Sequence, residues 1–231
     1  MRGWFKMIAA SLLLRHRVLD FRFMLASAPH FTPLQTVVLV GFMGCGKTSV
    51  ARRLASHLGW PSIDLDQEIE QSLGTTIAQF FRDSGERDSG EDAFRKMETQ
   101  TLRQALRRSG IVATGGGVVT REENRKLLQQ SQRDGTSCVV YLRVRPETLA
   151  TRIRRQPGVR PLIDGERTLD WPQTRDRVRF LLAQRAAWYA ESADLIVDGD
   201  ELSCSQVAQI IAAFIAPDVV KFDEDETEIG A

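Results

Sequence analysis

The feature that most constrains this chain is a glycine-rich segment at residues 41–48, which fits the pattern G-x-x-x-x-G-K-[ST] at every defined position. A short apolar run at 36–40, rich in β-branched residues, precedes it and is typical of a buried parallel strand. Apolar residues at helical spacing follow the segment until Gly59. A strand, a glycine loop and a helix N-terminus direct backbone N–H groups at one point, where the helix dipole favours negative charge. The pattern therefore predicts a phosphate-binding loop for a nucleoside triphosphate.

Two side chains of this loop have predicted roles of their own. Lys47 can reach the β- and γ-phosphates, and the hydroxyl of Thr48 can bind Mg²⁺. A chance glycine-rich turn is the alternative, and the matching strand and helix on either side make it the weaker interpretation. The residues predicted to contact ATP here are Gly44, Cys45, Gly46, Lys47, Thr48 and Ser49.

The composition is that of an ordinary globular protein. A chain of 231 residues, 42% hydrophobic and 26% charged, accommodates one α/β domain with some extra sequence. The net charge of +1 gives no reason to expect nucleic acid as a partner. The three cysteines are widely spaced and form neither a metal motif nor a disulfide framework. We expect a cytoplasmic monomer that binds neither nucleic acid nor membranes.

The two ends of the chain differ from its middle. Residues 1–35 are basic, and their apolar run is too short to span a membrane. An untranslated or disordered leader with Met24 as the working start is the favoured interpretation. An organellar transit peptide comes second, and a secretory signal last, because charged residues separate the apolar run from a cleavage site. Residues 217–231 carry six acids and are predicted to be disordered, which leaves a domain at 36–216.

Two carboxylates, Asp64 and Asp66, follow the second predicted strand. Such a pair could serve Mg²⁺ and a substrate hydroxyl separately, and phosphoryl transfer needs a carboxylate near the phosphate loop. The alternative is a solvated acidic turn that caps the next helix. The residues alone leave both interpretations open.

A five-residue tandem repeat interrupts the helical pattern of residues 78–110, with its copies at 83–87 and 88–92. Five residues turn a helix by about 500°, which moves its faces out of register by about 140°. We therefore expect one copy to form a loop. The strand predicted next runs into three glycines, which would let a ligand lie against bare backbone: Gly115, Gly116 and Gly117.

The remaining strands and helices alternate, so the fold class is α/β. Together with the phosphate loop, this alternation predicts a three-layer α/β/α domain with a five-stranded, mostly parallel sheet that helices cover on both faces. Residues 156–173 are rich in proline, glycine and charge, and we expect them to form a lid that closes over ATP with Arg155 and Arg160. A basic groove for nucleic acid is the rival interpretation, but aromatic residues do not support it.

Residues 36–214 resemble shikimate kinase, with the family's motifs in the same order. Five further segments carry the resemblance besides the phosphate loop. They are the acidic segment 64–70, residues 90–98 with the family pattern G-E-x-x-F-R-x-x-E, the three glycines, Arg160-Pro161-Leu162, and residues 185–189, where the family has R-x-P-L-Y. This chain departs from the pattern in three places: the repeat before Arg95, Ala187-Trp188 for Pro-Leu, and no arginine after Asp198.

The resemblance implies a P-loop NTPase-like fold with a lid, similar to the nucleoside monophosphate kinases. It also implies transfer of a phosphoryl group from ATP to the 3-hydroxyl of shikimate in aromatic amino acid biosynthesis, with Mg²⁺. It implies catalytic roles for Lys47, Asp66 and Arg160, a metal site at Thr48 and Asp64, and Arg155 near the adenine. Shikimate would contact Asp66, Arg95, Gly115, Gly116, Gly117 and Arg185, with Glu98 orienting Arg95. A gluconate kinase-like enzyme and a catalytically silent nucleotide-binding relative are the alternatives.

Overall fold

The computed structural model describes residues 34–84, 87–155 and 170–216. Its strands are β1 (Thr36–Val40), β2 (Ser62–Asp64), β3 (Gly110–Ala113), β4 (Ser137–Arg143) and β5 (Leu195–Asp198). They form one sheet in the order β2-β3-β1-β4-β5, and every pair of neighbours is parallel. The predicted five-stranded parallel sheet is confirmed. The predicted leader (apart from residues 34 and 35), the predicted lid up to residue 169 with Arg160, and the acidic tail lie outside the described residues. The last residues of the predicted lid, 171–173, belong to a helix instead.

Helices connect the strands. They are α1 (Lys47–Leu58), α2 (Leu65–Leu73), α3 (Ile77–Asp83), α4 (Arg87–Ala105), α5 (Glu122–Arg133), α6 (Pro146–Arg155), α7 (Trp171–Glu191) and α8 (Cys204–Ile215), with a 3₁₀ turn at Val118–Thr120. Within the described ranges, no helix is long and apolar enough to cross a membrane.

The core lies on both sides of β1, the central strand. All five β1 residues have no solvent exposure, which explains why its sequence is continuously apolar and β-branched instead of alternating. Because β1 lies between β3 and β4, the loop that leaves its carboxyl end is flanked by the ends of both neighbours. This edge of a parallel sheet is where α/β proteins bind ligands.

The region of the tandem repeat differs from its prediction. The helix expected at 78–110 is divided into α3 and α4, and α4 ends at Ala105 because the chain turns before β3. The second copy of the repeat lies within α4, and the first runs from the last residue of α3 to the first residue of α4. Residues 85 and 86 of the first copy lie outside the described residues, so the loop expected for one copy stays a prediction. Gly90 of the second copy packs on Ser84 of the first, since a Cβ atom at Gly90 would lie 2.7 Å from the Ser84 Cβ.

Candidate active site

The loop between β1 and α1 surrounds the ammonium group of Lys47. Its Nζ donates hydrogen bonds to the carbonyl oxygens of Gly41 at 2.8 Å and Phe42 at 3.1 Å, and it lies 3.7 Å from Sγ of Cys45. Gly46 caps α1 in the left-handed conformation, with φ of 103° and no side-chain cap. The first N–H groups of α1 therefore lack a capping side chain, and a phosphate could accept their hydrogen bonds.

Thr48 and Asp64 bring the phosphate loop and the acidic segment together. The Thr48 hydroxyl donates to Oδ2 of Asp64 at 2.7 Å. The other oxygen of Asp64 accepts from the backbone N–H groups of Asp66 at 3.1 Å and Gln67 at 3.4 Å, at the start of α2. Asp64 thus caps a helix, as one interpretation expected, and also contacts Thr48 of the phosphate loop, while its role toward Mg²⁺ stays a prediction. Mg²⁺ takes few protein ligands and completes its shell with water and phosphate oxygens, so two adjacent protein oxygens suit it.

Asp66 lies in the first turn of α2, close to the glycine run. A Cβ atom at Gly115 would lie 2.8 Å from Oδ1 of Asp66 and 2.8 Å from Oε1 of Glu98, so both carboxylates face this glycine. Burial, followed by the negative charge of Asp64, raises the pKa of Asp66 from 3.8 to about 6, against the opposing charge of Lys47. A carboxylate with this pKa can accept a proton near neutral pH.

Arg95 and Glu98 form a buried ion pair on one face of α4. Nη1 of Arg95 lies 3.0 Å from Oε2 of Glu98, and Nη2 lies 3.4 Å from Oε1 of the more exposed Glu91. Burial raises the pKa of Glu98, and the positive charge of Arg95 opposes that shift. The guanidinium packs against Gly117, where a Cβ atom would lie only 2.2 Å from Nη1. Gly117 is therefore required to make room for Arg95.

Arg185 lies on α7 and contacts the same glycine run at Gly116. Its Nη1 lies 3.4 Å from the carbonyl oxygen of Gly116, and its guanidinium lies 5.7 Å from the centre of the Phe42 ring. Gly116 in turn touches the phosphate loop, since a Cβ atom there would lie 2.9 Å from the backbone nitrogen of Met43. The phosphate loop and Arg185 are thus joined through the glycine run.

The structure explains the three glycines differently from the sequence-based prediction. We expected glycines there because a ligand would need bare backbone. In the structure, protein atoms already approach all three positions: two carboxylates at Gly115, the phosphate loop at Gly116 and Arg95 at Gly117. The glycines therefore let the site's own side chains converge, and their contact with a ligand stays a prediction.

The comparisons with known proteins agree with this geometry. A family model described as shikimate kinase matches residues 43–216. The chain belongs to the shikimate kinase family. The shikimate kinase of Symbiobacterium thermophilum is 39% identical over 174 residues, which cover 74% of this chain and 90% of that protein. That of Parasynechococcus marenigrum is 44% identical over 167 residues, covering 71% and 76%.

Solved shikimate kinases have the same fold. The shikimate kinase from Acinetobacter baumannii in complex with shikimate matches with a TM-score of 0.68 and 35% identity, over 83% of this chain and 98% of that one. The enzyme from Bacteroides thetaiotaomicron matches with a TM-score of 0.66 and 28% identity, over 78% and 98%. The predicted three-layer P-loop kinase fold is thereby confirmed.

At two of the positions where this chain departs from the shikimate kinase pattern, the residues make contacts with other parts of the structure. Trp188 lies beneath the guanidinium of Arg125, 4.9 Å from its ring centre, and Arg125 also donates to the carbonyl of Val119 at 2.7 Å. This contact holds α7 against the 3₁₀ turn that follows the glycines. Asp198 makes two hydrogen bonds with Arg143, at 2.5 and 2.7 Å.

The sequence does not single out Arg152, which the structure places beside the phosphate loop. Its guanidinium donates to the carbonyl of Cys45 at 3.4 Å and to that of Gly199 at 3.2 Å. Arg155, the predicted nucleotide contact, is exposed at the end of α6. An arginine followed by an apolar helix residue is too common a pattern to predict the contacts of Arg152. These contacts depend on how α6 packs against two loops that are distant in sequence.

Proposed function

We propose that this protein catalyses ATP-dependent phosphorylation of shikimate at its 3-hydroxyl, which gives shikimate 3-phosphate and ADP for aromatic amino acid biosynthesis. The observation that carries the proposal is the pair of buried arginines, Arg95 and Arg185, beside a phosphate loop and a carboxylate. Two guanidinium groups at neighbouring glycines suit the carboxylate of a small acid, because such groups bind carboxylates with two parallel hydrogen bonds.

On the acceptor side, Asp66 orients the reacting hydroxyl and takes its proton. Its pKa of about 6 suits this role, since an effective general base titrates near the working pH. Arg95 and Arg185 hold the carboxylate at the opposite end of the ring. Glu98 keeps Arg95 in place through their 3.0 Å contact, and backbone groups of Gly115, Gly116 and Gly117 contact the substrate.

On the nucleotide side, the loop residues Gly44, Cys45, Gly46, Lys47, Thr48 and Ser49 bind the phosphates of ATP. Thr48 and Asp64 hold Mg²⁺, which neutralises charge on the phosphate oxygens when bound. Arg160 stabilises the charge that develops on the transferring phosphoryl group, and Arg155 contributes to nucleotide binding. The contacts of Arg152 with the phosphate loop and Gly199 support a third arginine on this side. The monomeric state, the cytoplasmic location and the lack of nucleic acid partners stay predictions.

The proposal is tested by measuring ADP release by the purified protein with ATP, Mg²⁺ and either shikimate or gluconate. We expect release that saturates with shikimate and does not respond to gluconate. Lys47→Ala serves as the inactive control. Stimulation by gluconate alone would indicate a gluconate kinase-like enzyme, and no stimulation by either acid would indicate a catalytically silent relative.

A further inference from the structure

The carbonyl oxygen of Gly116 is the point at which α7 is attached to the glycine run. The Tyr189 hydroxyl donates a hydrogen bond to this oxygen, which also accepts the 3.4 Å contact from Nη1 of Arg185. Arg185 and Tyr189 are four residues apart in one helix and so project from the same face. Both are buried, with 8% and 0% exposure. Two side chains of one helix thus share a single backbone acceptor.

The neighbouring glycine carbonyls are used locally. The oxygen of Gly115 accepts from the backbone N–H of Val118 at 3.3 Å, and that of Gly117 accepts from the backbone N–H of Thr120 at 2.9 Å. These bonds span only three residues and fold the run onto the 3₁₀ turn. In the described part of the chain, the hydrogen bonds that α7 makes to the run both end on Gly116. Apart from the contact of Trp188 with Arg125 at the 3₁₀ turn, the attachment of the run to α7 therefore rests on that carbonyl.

The two guanidinium groups approach the run next to this attachment. Arg95 packs against Gly117 and Arg185 reaches Gly116, so the two arginines meet at adjacent residues. The Arg185 contact is long and cannot fix the run by itself. We infer that Tyr189 is a positioning residue: it holds the Gly116 carbonyl and thereby sets the spacing of Arg95 and Arg185 for the acceptor carboxylate. This inference rests on the proposed function.

The structure provides a matched control for the Tyr189 hydroxyl. The Tyr189 ring stacks on the ring of Tyr141, with centroids 5.1 Å apart and an angle of 22° between the planes. Tyr141 is also buried, but its hydroxyl forms no hydrogen bond with any residue that the structure describes. Tyr189→Phe and Tyr141→Phe therefore remove the same atom from two stacked rings, and only the first removes the bond to Gly116.

The test is the KM for shikimate and for ATP in the wild type and both variants, with thermal melts to confirm folding. We expect Tyr189→Phe to raise the shikimate KM about five- to twentyfold, which lies within the range for leaving one buried acceptor without its donor, and the ATP KM less than about twofold. Tyr141→Phe should leave both constants within about twofold. An unchanged shikimate KM in Tyr189→Phe, or an equal rise in Tyr141→Phe, would overturn the inference.

A double-mutant cycle tests whether Tyr189 acts through the arginine spacing. In an Arg185→Ala background, Tyr189→Phe should add less than about twofold to the shikimate KM, because the spacing no longer matters. Fully multiplicative effects would contradict the positioning role. A wild-type protein that does not phosphorylate shikimate would refute the proposed function. Normal wild-type turnover together with an unchanged shikimate KM in Tyr189→Phe would refute only this inference.

Discussion

The hydroxyl of Thr48 donates a 2.7 Å hydrogen bond to Oδ2 of Asp64, which joins the first turn of α1 to the N-cap of α2. The same carboxylate also accepts backbone hydrogen bonds from α2. One side chain therefore stabilises the fold and faces the phosphate loop, and substitutions can separate these two roles.

We predict that Asp64→Asn leaves stability nearly unchanged but lowers activity at least tenfold and raises the Mg²⁺ concentration needed for half-maximal rate. Asparagine caps a helix about as well as aspartate, but its neutral amide is a weak ligand for Mg²⁺. Thermal denaturation and a Mg²⁺ titration of the rate measure the two effects. Asp64→Ala, which removes the cap as well, should cost a further ~1 kcal/mol of stability. Full activity in Asp64→Asn at low Mg²⁺ would remove Asp64 from the metal site.

We predict that Asp66→Asn is more stable than the wild type at pH 8. The pKa of Asp66 is raised from 3.8 to about 6, so the folded state holds this proton more tightly than the unfolded state. The stability associated with the protonated group is fully present below pH 3.8 and is lost as the pH rises through about 6. Removing the charge should therefore gain about 1–3 kcal/mol at pH 8, and nothing near pH 4.

Denaturant unfolding of both proteins across this pH range, without Mg²⁺ or nucleotide, measures the difference. Asp92→Asn is the control, because the hydrogen bond from Lys96 lowers the pKa of that exposed carboxylate and its removal should not stabilise the protein. Turnover by Asp66→Asn should fall sharply while ATP affinity is kept. Equal stability of Asp66→Asn and the wild type at pH 8 would mean that the charge on Asp66 does not destabilise the folded protein.

Part of this site could be predicted from the sequence because it is local. The phosphate loop, Asp64 and the strand before the glycines are specified by residues next to one another and by apolar runs. The contact of Tyr189 with Gly116 joins residues 73 positions apart, and that of Arg152 with Cys45 joins residues 107 apart. Both depend on which strands are neighbours and how the helices pack on them, and hydrophobic periodicity carries no information about that order.

We predict that Arg95→Ala raises the KM for shikimate at least tenfold and leaves the affinity for ATP nearly unchanged. Loss of one partner from a buried, charge-assisted pair costs on the order of 2–5 kcal/mol, and each tenfold change is about 1.4 kcal/mol. Arg103→Ala, on the same helix but in an exposed pair with Glu123, is the matched control and should have no effect on either constant. A parallel loss of ATP binding in Arg95→Ala would show that Arg95 stabilises the fold and does not specifically bind shikimate.

We predict that deletion of residues 83–87 leaves a folded, active protein, because the second copy still supplies Gly90 to Glu98. Deletion of 88–92 is a near-identical control that differs only in placing Arg87, in place of Asp92, before Ala93. The deletion of 88–92 should lose the 2.7 Å ion pair between Asp92 and Arg121, a surface contact worth about 1 kcal/mol or less. Circular dichroism and shikimate turnover of both deletions test this. Loss of turnover in both, with ATP binding retained, would show that the site requires the full repeat.

The most direct test of the central claim is to locate the transferred phosphoryl group by phosphorus–proton correlation NMR of the reaction with ATP, Mg²⁺ and shikimate. If Asp66 orients the 3-hydroxyl while Arg95 and Arg185 hold the carboxylate, a single product should form, with phosphorus coupled to the proton on carbon 3. Phosphorylation at another hydroxyl, or ADP release without phosphorylated shikimate, would contradict this arrangement.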